Sequence, residues 1–468
     1  MLPEIHIETH MSHVVLSGDR VYKRLKAVQY PFADYSSLPL RKAACEAELE
    51  HNQPWAPGVY LRVAPVAGHP PRVDGPGPPV DYAIVMVRLP DEARLCEQID
   101  GIDAAELAQI GRVLQKRHDA QPRRPASALP DEVERRMWEN LAELIDLGDL
   151  PISATRLRTA LAGSLDRAAG ALDTRSKQGK LLHGDLRTEH VYRIDDQVVV
   201  LDGVAFNESL AVGDPIEDIA FLAMELSAVH GRWDLEAALW QGWAGDSPVD
   251  PLLIELYTGH RSLIRAKIAK LQGRPKRLLR HLLHALARLE APAKRPMLVG
   301  IGGLPGVGKS TLAKQLAEHS GFTVLRTDAL RKRQTEAPSY TLQARDAVYD
   351  ALFAEARQLL AQGKRVVVDA SFGREAWRQS LIELGRELGL PTKLLIAEAD
   401  PAIVAERLAN RVNDPSDADL AIYHKARGAW EAPSQDTARL LHTINTEGEP
   451  SAALRSAIQI LSRPREVS

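Results

Sequence analysis

Cysteine is almost absent from this chain: Cys45 and Cys96 are the only two among 468 residues. That excludes a disulfide framework and a cysteine-rich metal site. An excess of either charge is also missing. The formal net charge is −3, so there is no general electrostatic pull toward nucleic acid or membrane, although a local basic groove stays open. No apolar run approaches the roughly 18 residues of a membrane span. The opening segment Met1-Leu2-Pro3-Glu4-Ile5-His6 has neither the basic start nor the apolar core of a signal peptide. The expectation is a soluble, cytoplasmic protein with no membrane partner. What is present fits a globular chain. Hydrophobic residues make up 45% and charged residues 26%, too apolar a mixture for disorder. At roughly 150 residues per domain, the length fits two or three domains.

The first ninety residues read as short strands separated by Gly, Asp and Pro: His6–Glu8, Val14–Leu16, Arg20–Leu25, Tyr60–Pro65 and Tyr82–Val87. One helix, about Leu40–Asn52, interrupts them, and the proline- and glycine-rich stretch Gly68–Pro79 reads as an exposed hairpin loop. Helical patterns follow at Ala104–Asp119 and Asp131–Leu147, then a strand pair at Val191–Ile194 and Val198–Leu201. Leu278, Leu279, Leu282, Leu283, Leu286 and Leu289 repeat at helical spacing and predict one buried face. The segment Ala291-Pro292-Ala293-Lys294-Arg295-Pro296 then breaks the pattern and marks a boundary. Domains are therefore expected at 1–290 and 297–468, joined by a linker at 291–296 and folding independently. Beyond it, strands at Met297–Gly302, Phe322–Arg326, Arg365–Asp369, Lys393–Ala397 and Leu441–Asn445 alternate with helices. That alternation predicts a parallel sheet covered by helices on both faces.

Gly303-Leu304-Pro305-Gly306-Val307-Gly308-Lys309-Ser310 matches G-x-x-x-x-G-K-[ST] without a mismatch, with Thr311 next in line. It follows an apolar strand and opens a helix, the setting that gives the motif its meaning. Glycines let successive backbone N–H groups face phosphate oxygens, and the helix N-terminus adds partial positive charge. Lys309 has the reach for the β- and γ-phosphates, and the Ser310 hydroxyl is a hard oxygen ligand for Mg²⁺. Asp328 follows the second strand, at the carboxyl edge where such sheets bind ligands, with Arg331 and Arg333 just after it. Val366-Val367-Val368-Asp369 is a buried strand ending in a carboxylate able to hold the metal through water. Arg407 and Arg411 lie four apart, ahead of the polar loop Asp414-Pro415-Ser416-Asp417; a solvated helix face is the other reading of the pair. This half resembles small P-loop kinases of the gluconate kinase, polynucleotide kinase and zeta-toxin type. The resemblance implies that Asp328 contacts the acceptor hydroxyl and that Arg407 and Arg411 close as a lid over the transferred phosphate.

Leu182-His183-Gly184-Asp185-Leu186-Arg187-Thr188-Glu189-His190 lies on a loop, and Val198-Val199-Val200-Leu201-Asp202 ends in a second acid seventeen positions after Asp185. One Asp to accept a hydroxyl proton and a second to bind Mg²⁺ is the pairing phosphoryl transfer uses. The fragment resembles the His-Gly-Asp motif of aminoglycoside phosphotransferase-like and choline kinase-like enzymes, as does Gly213-Asp214-Pro215-Ile216-Glu217-Asp218 after it. Carried over, Lys23 would contact ATP, with Glu48 as its ion-pair partner and Glu46 as the alternative, and Met86–Leu89 would be the adenine-binding hinge. The whole chain resembles the bifunctional aminoglycoside phosphotransferase/ATP-binding proteins. That implies a bilobal α+β protein-kinase-like fold followed by an α/β P-loop NTPase. Two positions depart from the pattern. His190 stands where the family has a metal-binding Asn, and it fits three roles: metal ligand, hydrogen-bond partner of Asp202, or packing residue. Thr9-His10-Met11-Ser12-His13 replaces the glycine-rich flap.

The leading expectation is an ATP- and Mg²⁺-dependent phosphotransferase with two nucleotide sites and small-molecule or nucleotide-like acceptors. The alternatives are a nucleotide-binding regulatory protein with an inactive N-terminal kinase fold, and a polynucleotide end-kinase. The last would use the basic stretch from Arg261 to Arg280, though a solvated helix face is the simpler reading of those charges. His281 and His284 read as core or surface histidines, not a metal pair. Neither the acceptors nor the oligomeric state is legible in the sequence.

Overall fold

The computed structural model describes residues 4–30, 33–195, 197–205, 211–327, 341–410 and 420–462. They form two compact units. The first comprises Met1–Arg136, Ala169–Glu225 and Ala238–Leu253; the second comprises Met137–Ala168, Leu226–Ala237 and Ile254–Ser468. Compactness thus groups residues 254–289 with the P-loop region and does not divide the chain at 291–296. No described helix is long and apolar enough to cross a membrane.

The first unit opens with a six-stranded antiparallel sheet. Its order is Ile5–Glu8, Ser12–Ser17, Arg20–Leu25, Asp81–Val87, Tyr60–Ala67 and Arg72–Val73. The helix Leu38–Asn52 packs on the sheet, sharing a core of Cys45, Tyr60, Ile84 and Met86. The Gly68–Pro79 stretch is not wholly loop: Arg72 and Val73 fold back and pair with Ala67 and Val66. Valine's β preference competes there with the surrounding prolines. Below the sheet, Asp103 and Glu106 close a reciprocal capping box on the helix Ala104–Ala120. That helix crosses Trp233–Ala244 where Gly111 meets the Leu239 carbonyl and Gly242 meets that of Ala108. The hairpin Val191–Ile194 with Gln197–Val200 is antiparallel, as its β-branched runs predict.

The second unit contains a five-stranded, fully parallel sheet in the order Thr323–Arg326, Val366–Asp369, Leu298–Gly302, Thr392–Glu398 and Leu441–Asn445. Alternate residues face opposite sides. Val299 and Ile301 pack with Leu312 and Leu316 of the helix Lys309–Ser320 and with Leu454 of Pro450–Ser462. On the other face, Gly300 lies against Leu381 of Glu375–Leu388. The leucine-rich helix Pro275–Leu289 buries Leu278, Leu282, Leu283, Leu286 and Leu289, as its period predicts, and packs on Glu375–Leu388. His281 and His284 are buried in it, and His284 is bracketed by the Ser227 and Ser262 hydroxyls at 3.0 and 2.6 Å. The basic stretch is partly engaged inside the unit, while Arg274, Lys276 and Arg277 are exposed. Lys267 pairs with Glu143, Lys270 donates to the Asp149 carbonyl and Arg280 to the Glu387 carbonyl.

Candidate functional site

In the first unit, Lys23 sits mid-strand and Glu48 on the covering helix, and sheet and helix packing bring them together. Lys23 Nζ lies 2.8 Å from Glu48 Oε1 and 3.0 Å from Asp202 Oδ1. Glu46 is not the partner; it faces Lys42 at 3.5 Å. Burial works against the Lys23 charge, but Asp202 and Glu48 hold its pKa well above the ordinary value. The same lysine pulls Asp202 down to about 2. Asp202 is therefore a fixed, ionised carboxylate. It has a left-handed φ of +59°, with its backbone N–H donating to Tyr60 Oη at 3.1 Å. The next residue is pinned as well, Gly203 donating to Asn52 Oδ1 at 2.7 Å.

The loop carrying Asp185 is held from beneath. Asp218 accepts from the backbone N–H groups of His183 and Gly184 at 2.7 and 2.9 Å. Glu225 accepts from the Thr188 N–H and hydroxyl and from Arg187. His190 Nδ1 lies 2.9 Å from the Asp185 carbonyl, so it donates, and 3.5 Å from the Asp185 carboxylate. The ring is thereby oriented by the loop it follows. Its Nε2 lies 3.7 Å from Glu189 Oε1, and an imidazole nitrogen suits Mg²⁺ less than an amide oxygen does. The Thr9–Ser12 turn is closed on itself. Thr9 Oγ1 accepts from the N–H groups of Met11 and Ser12 at 3.3 and 2.9 Å and lies 2.9 Å from Ser12 Oγ. In the hinge, the N–H groups of Val87 and Arg88 already donate to Val59 and Asp19.

In the second unit the phosphate loop follows the carboxyl end of the strand Leu298–Gly302. Gly303 has φ +133°, and a Cβ there would stand 2.5 Å from the Ala397 carbonyl oxygen, so the turn needs glycine. Lys309 Nζ donates to the Leu304 carbonyl at 2.7 Å, its stem folded over the loop. Ser310 Oγ donates to Asp369 Oδ2 at 2.7 Å, and Arg326 Nε reaches the same oxygen at 3.1 Å. Arg326 also contacts Ser310 Oγ at 2.8 Å. Arg407 is seated beside the loop. It donates to the Thr446 carbonyl at 2.6 Å, while its buried Nη1 has no partner among the described residues. Thr446 in turn donates to the Val307 carbonyl. A pocket of about 300 Å³ is lined here by Gly306, Gly308, Lys309, Thr311, Arg407 and Thr446. Asp328, Arg331, Arg333, Arg411 and the 414–417 loop lie outside the described residues.

Among the described residues no cluster of three His, Cys, Asp or Glu side chains is preassembled for a metal ion. Magnesium needs none where one carboxylate and nucleotide phosphates complete its shell. The hard-oxygen pair Ser310 and Asp369, the glycine turn and the orphaned Arg407 donor fit a Mg²⁺–nucleotide. Three residues were not singled out from sequence. Arg326 ends a strand two positions before Asp328, and the spacing offered no sign of its contact with Asp369. Thr446 acts through partners 39 and 139 positions away. Glu225, by contrast, falls ten positions after Pro215 in the helix opened by the Gly-Asp-Pro motif, and its buried position there was readable.

Each unit thus sets one constellation against its sheet: Lys23, Glu48 and Asp202 in the first, and the glycine loop with Ser310 and Asp369 in the second. Residues 297–433 match the AAA domain family. The uncharacterized protein Rv2004c of Mycobacterium tuberculosis and the uncharacterized protein Mb2027c of Mycobacterium bovis are each 31% identical over 490 residues, spanning 97% of this chain and 94% of theirs. The chain belongs to the family of these mycobacterial proteins, and residues 297–433 are its AAA domain. Among solved structures, a gluconokinase from Sinorhizobium meliloti is 19% identical, covers 36% of this chain and 94% of its own, and gives a TM-score of 0.30. A choline/ethanolamine kinase family protein from Mesorhizobium loti is 14% identical, covers 62% and 89%, and gives 0.41.

Proposed function

We propose that this protein is an ATP- and Mg²⁺-dependent phosphotransferase with two nucleotide sites, one in a kinase-like domain at 1–290 and one in a P-loop domain at 297–468. Its acceptors are hydroxyl compounds, small-molecule or nucleotide-like, and its setting is the cytoplasm. The observation that carries this reading is the Ser310 hydroxyl held 2.7 Å from Asp369 at the mouth of the complete glycine loop. In the P-loop domain the amides of 303–308 and Lys309 bind phosphate, and Ser310 and Asp369 would hold the Mg²⁺, Asp369 through water. The roles that the family pattern implies for Asp328 and Arg411 are contact with the acceptor hydroxyl and closure over the transferred phosphate. Arg407, anchored on Thr446, serves the bound nucleotide. In the kinase-like domain Lys23 neutralises phosphate, and Asp202, with His190, holds the metal. Asp185 takes the acceptor's proton as the new oxygen–phosphorus bond forms and ADP departs. Bound Mg²⁺ supplies charge neutralisation on the phosphates.

The test is phosphate transfer from labelled ATP to acceptor pools. With the first site silenced by Asp185→Ala, Lys309→Ala is expected to cost about 10²-fold or more in turnover. Near-normal turnover in that double variant would sink the assignment. A second reading, an N-terminal fold that binds nucleotide without transferring phosphate, is favoured by the self-closed Thr9–Ser12 turn. It prevails if Asp185→Ala leaves every measured transfer unchanged in a Lys309→Ala background. For the end-kinase reading, Lys267, Lys270 and Arg280 are engaged inside the second unit, which leaves the exposed Arg274, Lys276 and Arg277 as its guiding surface.

A further inference from the structure

The second unit contains a larger cavity than the one at the phosphate loop. It measures about 840 Å³, within the ~300–1,000 Å³ of small-molecule pockets, and is lined by Arg156, Arg167, Glu290, Lys294, Lys364 and Arg365. Gly303 and Asp369 lie at the carboxyl ends of their strands. Lys364 and Arg365, by contrast, precede the strand Val366–Asp369, and Thr323, another lining residue, begins its own. In a fully parallel sheet these are opposite ends, so the cavity is separate from the nucleotide site.

Its charge is one-sided. Glu290 is the single carboxylate among the lining residues, and it is taken by Arg156, whose Nε and Nη2 grip it at 2.8 and 2.9 Å. The remaining cations have no carboxylate within ion-pair distance among the described residues. Arg167 donates to the Leu289 carbonyl at 2.6 Å, and Arg365 to that of Ala293 at 2.7 Å. The Arg365 guanidinium lies over the Phe322 ring, 4.2 Å from its centre, and its buried Nε–H has no acceptor among the described residues. Two arginines are therefore fixed in place by carbonyls and packing, without an ion-pair partner among the described residues. Burial also disfavours the charged form of both. Both are half-buried, and a cation drawn partly out of water without an ion-pair partner is favoured when an anion joins it. Preorganised guanidinium groups suit phosphate oxygens.

We propose that this cavity is a binding site for a small polyanion carrying two or more phosphate groups, held by Arg167, Arg365, Lys294 and Lys364. The probe is inorganic pyrophosphate, titrated calorimetrically into the full-length chain after both nucleotide sites have been saturated with a non-hydrolysable Mg²⁺–ATP analogue. Saturable binding at one further site is expected, weakened at least tenfold in Arg167→Ala/Lys364→Ala. If that variant loses its thermal transition, the rim variant Lys294→Glu/Lys364→Glu, at two exposed positions, replaces it with the same expectation. Absence of saturable binding to the wild type, or affinity unchanged in the variant that folds, would overturn the proposal. So would a short single-stranded oligonucleotide that binds this site more tightly than pyrophosphate, since that points to a nucleic-acid surface instead.

Discussion

His183 is fully buried, and neither ring nitrogen has a hydrogen-bond partner among the described residues; its ring meets Trp55 edge-on at 5.3 Å. Burial pushes its pKa down to about 3 from an ordinary 6.5. Between those values the unfolded chain binds a proton that the folded chain refuses. The contribution of this residue to stability is thus complete above pH 6.5 and falls on acidification until about pH 3. The slope approaches 1.4 kcal/mol per pH unit well inside that window. Denaturant unfolding at pH 7 and pH 5 should show a smaller acid loss in His183→Gln than in the wild type. Equal losses would mean that other groups carry the acid sensitivity. His118, close by, is partnered differently: its Nδ1 accepts from Trp243 at 3.1 Å, leaving Nε2 to donate to Asp218 at 3.3 Å. One buried imidazole thus props up the loop carrying Asp185, while the other is a neutral packing group.

Where the helices Ala104–Ala120 and Trp233–Ala244 cross, the approach is limited by backbone. A Cβ on Gly242 would stand 1.9 Å from the Ala108 carbonyl oxygen, which has no flexible end to move. Gly242→Ala gains up to about 1 kcal/mol of helix propensity but forces the helices apart, so a net loss of about 1–3 kcal/mol is expected. Gly170, inside another helix, has nothing within 4 Å of its would-be Cβ. Gly170→Ala should therefore stabilise by roughly 0.5–1 kcal/mol. Thermal or urea unfolding of both variants checks the contrast, and a stabilised Gly242→Ala would refute the crossing. Elements of this kind also show what the sequence made legible. The phosphate loop, the strand before it and the leucine-rich helix declare themselves through local spacing. The helix Ala154–Arg175 does not, because alanine supplies much of its apolar face and gives little contrast with its polar side. Arg407 could be placed on a helix but not beside Gly308, because that depends on Thr446, 39 positions on. Likewise Lys23 and Asp202, 179 positions apart, needed the fold, or a family pattern, to bring them together.

For the whole molecule, the prolines at 292 and 296 predict two halves that fold apart, yet the packing crosses that linker. Arg156 donates to the carbonyls of Gln362 and Gly363, Arg280 to that of Glu387, and the helix Pro275–Leu289 lies on Glu375–Leu388. Each half keeps its own sheet, so both are expected to fold when produced separately. A C-terminal piece beginning at Arg295, however, uncovers one side of Glu375–Leu388. Its thermal midpoint is expected to lie several degrees below the corresponding transition in the full chain. Identical midpoints would restore the reading from the linker alone.

Synthesis runs from the N-terminal side, and Arg156 must wait for partners 206 and 207 positions downstream. At about 5–20 residues per second that delay is roughly 10–40 s. During it, the segment Met137–Ala168 has left the ribosome while most of the unit it belongs to is still unmade. Nascent chains arrested before residue 362 should therefore expose apolar helix surface, and chaperone capture should peak on them and fall once the second sheet has emerged.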